Sequence, residues 1–103
     1  RPMIGVELAS DRWVQRYRIE GVPIVHVYPG LPADRAGMVG ARRTSRYEVE
    51  LGDVITHIDG QEIRNNDDYL AALEKYQPGD RIVIKTRRGE EALSFTVKLI
   101  ESQ

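Results

Sequence analysis

Cysteine is absent from the 103 residues, which excludes disulfides, a thiol nucleophile and Cys-ligated zinc and leaves the redox compartment open. No charge of one sign dominates. Fifteen Lys+Arg against sixteen Asp+Glu give a formal net charge of -1, so the bulk electrostatic argument for nucleic acid is missing. Long apolar runs are missing too: the longest extend over a few residues, far short of a spanning helix, and no membrane insertion is expected. Aromatic residues are scarce, and none alternates with the arginines of the basic cluster Arg42, Arg43 and Arg46. That cluster therefore reads as a solvated loop.

What is present suits one compact domain. Hydrophobic residues make up 41% and charged residues 30%, and the length allows a core to be buried without staples. Residues 1–103 are accordingly expected to form a single domain. The chain starts at Arg1 and shows no charged-then-apolar leader, which suggests a fragment of a longer protein.

The most informative stretch is the first. Met3, Gly5 and Glu7 alternate with Ile4, Val6 and Leu8, which predicts a strand with the second set facing inward. Gly5 lets the turn before it curl so that successive N–H groups converge, a concavity that fits an anion such as a carboxylate. If the strand lies at a sheet edge, its free backbone groups can pair with an extended peptide.

Ser10 to Glu20 mixes charges with Trp13, Val14, Tyr17 and Ile19, a spacing that fits either a short helical turn or a ragged strand, and reads as an irregular excursion. Val22 to Tyr28 is a β-branched strand, and Pro23 predicts that its start is not centrally paired. Leu31 to Met38 reads as a helix of one or two turns, with Pro32 in its first turn and Gly37 near its end.

Val39 to Glu50 has no clear period and reads as a surface loop, with room for a short strand around Tyr47 to Leu51. Val54 to Ile58 is a strand closed by the hairpin dipeptide Asp59-Gly60, and Gln61 to Ile63 returns as its partner. Asn65 to Asp68 form an N-cap cluster for a helix reaching about Tyr76, which Pro78-Gly79 stops. Arg81 to Arg87 and Leu93 to Leu99 alternate strictly and form a hairpin. This order predicts an α+β, mostly β fold: a small antiparallel sandwich or partly open barrel capped by two helices.

Catalytic and cofactor signals are lacking. His26 and His57 sit within strands without a second ligand at metal-binding spacing, and no cofactor or metal is expected. No Gly-x-Ser-x-Gly elbow presents a serine, and no phosphate-loop spacing occurs, so neither hydrolysis nor nucleotide binding is supported. What remains is binding by shape and backbone pairing.

Taken together, Met3-Ile4-Gly5-Val6, Gly21-Val22, Pro29 to Met38, Leu51 to Ile55, Ile58 to Gln61, Asp67 to Leu70 and Pro78 to Asp80 resemble, in order and spacing, a PDZ domain. The match is to the circularly permuted bacterial form found in HtrA/Deg (Do-like) serine proteases. The resemblance implies that the last strand, Leu93 to Leu99, runs beside the entry to Met3, with the termini close together.

It further implies a carboxylate-binding loop at Met3, Ile4, Gly5 and Val6, and a peptide groove lined by Leu8, Asn66, Leu70 and Leu73. Leu73 fits the core as well as the groove, and Arg1 is a candidate for a water-bridged carboxylate contact. Met3 stands where the family often has an aromatic or leucine. Asn66 stands where many animal members carry a hydroxyl-selecting histidine.

The partners implied are C-terminal peptides of unfolded or processed proteins and the protease domain of the parent chain. The compartment implied is the periplasm or another envelope or organellar lumen. A spacer or oligomer contact, or a module of another protease or secretion component, is the alternative role.

Overall fold

The computed structural model describes residues 1–102. Ten strands and three short helices follow one another along the chain. First come β1 (Pro2–Met3), β2 (Val6–Leu8), α1 (Asp11–Arg16), β3 (Val22–Val27) and α2 (Pro32–Ala36). Then come β4 (Arg42–Arg43), β5 (Val49–Glu50), β6 (Asp53–Ile58), β7 (Gln61–Glu62), α3 (Asn66–Leu73), β8 (Arg81–Arg88), β9 (Glu91–Lys98) and β10 (Ile100–Glu101).

Strands β2-β3-β6-β8-β9 are neighbours in one antiparallel sheet, with β7 paired to β6. Strands β1 and β10 form a separate ribbon, as do β4 and β5. Because β9 runs on into β10 and β1 into β2, the terminal ribbon bridges the two ends of the large sheet without closing it. The result is the mostly β, partly open architecture read from the sequence.

Apolar, mostly β-branched strand residues fill the core. Ile82 and Ile84 on β8, Ile55 and Ile58 on β6, and Val22 and Ile24 on β3 are buried and meet Ile4, Ile63, Leu73, Val97 and Leu99. The turns are specified locally. Asp59 and Gly60 both take positive φ (47° and 83°), the requirement of a two-residue type I′ hairpin turn. Gly37 caps α2 in the left-handed region at φ 94°.

The structure corrects three expectations. Ser10 to Glu20 is not wholly irregular: Ser10 caps α1 by accepting the Trp13 N–H, and Val14 is buried beneath the helix, so three helices are present rather than two. Pro23 is internally placed, opposite Val54 on β6, while its carbonyl accepts the Ala9 N–H on the other side. Its missing N–H falls where β3 changes partner from β6 to β2, which is why the sheet tolerates it.

Third, the strand beside Met3 is not Leu93 to Leu99 but the short β10 after it, in the register Pro2↔Glu101 and Met3↔Ile100. The termini do meet, and Ser102 N–H donates to the Arg1 carbonyl at 2.7 Å.

Val39 to Glu50 holds the exposed β4–β5 ribbon, stitched by the Arg42–Glu50 ion pair. Its base is fixed by Asp53, a fully buried carboxylate that accepts from Val39 N–H, Thr86 Oγ1 and Arg88 Nη2. The bond to Asp53 also pushes the Arg88 guanidinium pKa up. A buried charge satisfied on several sides in this way fixes the position of the ribbon rather than adding much net stability.

Candidate peptide-binding groove

The loop between β1 and β2 is shaped by Gly5. Its φ is +86°, and a β-carbon there would lie 2.5 Å from Leu31 Cβ, so glycine is required both by conformation and by contact. The carbonyls on either side of the turn are used internally: Ile4 C=O accepts from Ala33 N–H at 2.9 Å, and Gly5 C=O accepts from Tyr28 N–H at 3.0 Å. The Ile4 and Gly5 N–H groups have no backbone acceptor among the described residues. Carbonyls turned inward with amides left over is the condition for receiving an anion.

Among the described residues strand β2 pairs with β3 alone, so its other edge is open. Antiparallel ladders alternate bonded and non-bonded pairs. Since Gly5 bonds Tyr28, the next bonded pair is Glu7 with His26, and Val6 and Leu8 turn their backbone groups to the open edge. After the bulge between Glu7 and Leu8 the same parity holds, because Ala9 N–H bonds Pro23. Val6, Leu8 and the two loop amides thus form one continuous row of unused backbone groups.

The remaining expected site residues divide. Leu70 on α3 is 48% exposed, whereas Leu73 is 4% exposed and packs in the core, one of the two placements its spacing allowed. Ile4 is fully buried, so it offers the loop a backbone amide rather than a pocket-lining side chain. Val6 and Leu8 are half-buried and pack on the core from the groove side. Met3 is half-buried and held against Ile100; Arg1 is exposed, with its carbonyl on Ser102.

Asn66 does not stand free over the groove. Its Nδ2 donates to Ala9 C=O at 2.9 Å and to Asp11 Oδ1 at 2.8 Å, and Asp11 Oδ1 also accepts the Asn66 backbone N–H. These bonds, first from the Asn66 side chain and then from its backbone, hold the Asp11 carboxyl below its ordinary pKa. They tie the start of α3 to the chain just past β2. Sequence reasoning missed Ala9 and Asp11, because 55 residues separate Asp11 from Asn66 and no local pattern links them.

A cleft of about 620 Å³ lies away from this edge, lined by Ile19, His57, Arg64, Lys85 and Leu93, among others, and none of its lining residues belongs to β2 or α3. The edge of β2 itself is a row of unused backbone groups.

An open strand edge beside a helix, headed by a glycine loop with spare amides, is the arrangement of the PDZ fold. The chain belongs to the PDZ domain family, whose profile matches residues 2–99. Within it the relationship is to the domains of HtrA/Deg (Do-like) serine proteases. The chain is 29% identical over 99 residues to Protease Do-like 1, chloroplastic, from Arabidopsis thaliana, covering 96% of this chain and 23% of that protein. Among solved structures, the HtrA-type protease AlgW with a decapeptide superposes with a TM-score of 0.75 at 23% identity, over 100% of this chain and 30% of that one. The HtrA3 PDZ domain bound to a phage-derived ligand gives 0.70 at 20% identity, over 96% and 85%. The chain spans about a quarter of the length of the curated relatives it matches.

Proposed function

We propose that residues 1–103 form one PDZ module of a longer HtrA/Deg-like serine protease and capture hydrophobic C-termini by strand addition, presenting substrate to the protease domain or switching it on. The observation that carries this reading is the unbroken row of free backbone groups from the Ile4 and Gly5 amides through Val6 to Leu8, on an edge with no internal partner. A C-terminal carboxylate meets the loop amides, the peptide backbone pairs with Val6 and Leu8, and Leu70 covers the last side chain. On this reading Met3 orders the loop through Ile100, and Arg1 makes a water-bridged contact with the carboxylate.

The partners on this reading are C-terminal peptides of unfolded or processed proteins and the protease domain of the same polypeptide. The compartment is an envelope or organellar lumen, in keeping with the chloroplastic relative. The domain itself contributes binding and no chemistry.

The test is titration with short peptides ending in Val, Leu or Phe, followed by calorimetry. Binding is expected for the free acids and is expected to vanish on C-terminal amidation. Equal affinity for acid and amide would reject the carboxylate loop.

A second reading, a spacer or oligomer contact, draws on the bonds from Asn66 to Ala9 and Asp11 that tie the start of α3 to the chain just past β2. It predicts no peptide binding and a concentration-dependent mass in sedimentation.

A further inference from the structure

Glu7 is the one β2 side chain on the face away from the core. Val6 and Leu8 are half-buried toward the core, while Glu7 is exposed and sits opposite His26 across the ladder. His26 is itself packed edge-on against Tyr28, with ring centroids 4.9 Å apart. Among the described residues the Glu7 carboxylate has neither an ion-pair partner nor a hydrogen-bond donor. It is an unpaired anion in the middle of the proposed docking strand.

The parity of the ladder fixes what would face it. A peptide whose carboxylate sits at the Ile4 and Gly5 amides runs antiparallel to β2, so its last residue lies opposite Val6 and the third from last opposite Leu8. Val6 and Leu8 supply the hydrogen bonds to it, which makes Glu7 and the penultimate residue the non-bonded pair between them. In such pairs the Cα atoms approach to about 4.5 Å and the side chains are closest. Side chains alternate across the sheet, so the penultimate side chain points to the outer surface beside Glu7, away from Leu70.

We infer that Glu7 forms a subsite selecting a cationic side chain, Arg or Lys, at the penultimate position of the bound C-terminus. This inference rests on the strand-addition reading and sharpens it from hydrophobic C-termini to hydrophobic C-termini preceded by a basic residue. Both the attraction of a cation and the repulsion of an acid contribute, since like charges directly opposite destabilise a strand pair.

The experiment compares peptides differing only in Arg, Gln or Glu before a terminal Val, each as acid and amide, at low ionic strength. Proteins are the unsubstituted chain, Glu7→Gln, Glu7→Lys and, as a net-charge control, Glu90→Lys in the distant β8–β9 turn. The unsubstituted chain and Glu90→Lys are expected to bind Arg over Gln over Glu, with about a five-fold span or more between the extremes. Glu7→Gln should flatten the series and Glu7→Lys invert it.

Equal affinities in the unsubstituted chain, or an order unchanged in Glu7→Lys while free acids still outbind amides, would overturn the subsite alone. Absence of carboxylate-dependent binding to every peptide would overturn the strand-addition reading, and the subsite with it.

Discussion

Leu70 and Leu73 lie on one turn of α3, yet burial assigns them opposite roles. Leu73 sits in the core at 4% exposure, and cutting it to Ala should cost about 2–5 kcal/mol in a urea melt through lost burial and a residual cavity. Leu70 at 48% exposure has little native packing to lose, so Leu70→Ala should leave stability within about 0.5 kcal/mol. Its cost should appear in binding: losing about 1 kcal/mol of newly buried surface weakens a peptide ending in Leu roughly five-fold. A Leu70→Ala chain that melts early but binds normally would place Leu70 in the core instead. The sequence showed that the two leucines share a helical face, because spacing alone decides that. Which of them the core covers depends on how α3 packs against the rest of the fold, and no local pattern records that packing.

At the scale of elements, the groove is set by how three short pieces lock together. α1 is only six residues long, too short to show a helical period, and its mixture of Arg12, Trp13, Val14 and Tyr17 hid it. Its legible trace was Ser10, a good N-cap residue placed before Asp11. The join of α1, β2 and α3 runs through Asp11 and Asn66, and the hydrogen bonds from Asn66 depress the Asp11 pKa. A carboxyl whose pKa is lower folded than unfolded contributes stability above its ordinary value of 3.8 and loses it as the pH falls through the lowered folded value. Comparing the chain with Asp11→Asn in urea at a series of pH values should therefore show the advantage of Asp11 at neutral pH. The gap should shrink in acid below its ordinary value. A gap that stayed constant across that range would mean that the carboxylate charge contributes nothing to the join. The pair is only half-buried, which keeps the effect small, so the informative quantity is its pH dependence.

Across the whole molecule, the two ends of the chain support the Gly5 loop from outside the large sheet. Alternation made β8 and β9 plain in the sequence, since a period of two over eight residues has no competing reading, while β6 was legible from its apolar run closed by Asp59-Gly60. The terminal ribbon was harder to place, because two-residue strands carry no period and only the resemblance implied that the ends meet. Ser102 N–H bonds Arg1 C=O, so ladder parity makes Ile100 and Met3 the next bonded pair. Met3 is thus anchored one residue before the Ile4 amide, and the geometry of the loop depends on a strand that follows β9. Ile100→Pro removes that N–H at a cost of roughly 1 kcal/mol or more, while the six-stranded sheet keeps its own pairing. If the ribbon orders the loop, far-UV circular dichroism should change little and affinity for a free-acid peptide should fall about five-fold or more. The preference for acid over amide should shrink with it, because the amides no longer hold one position. Unchanged affinity with the Met3 to Ile100 pairing lost by NMR would show that Gly5, packed against Leu31 and tied through Tyr28 and Ala33, holds the loop without the termini.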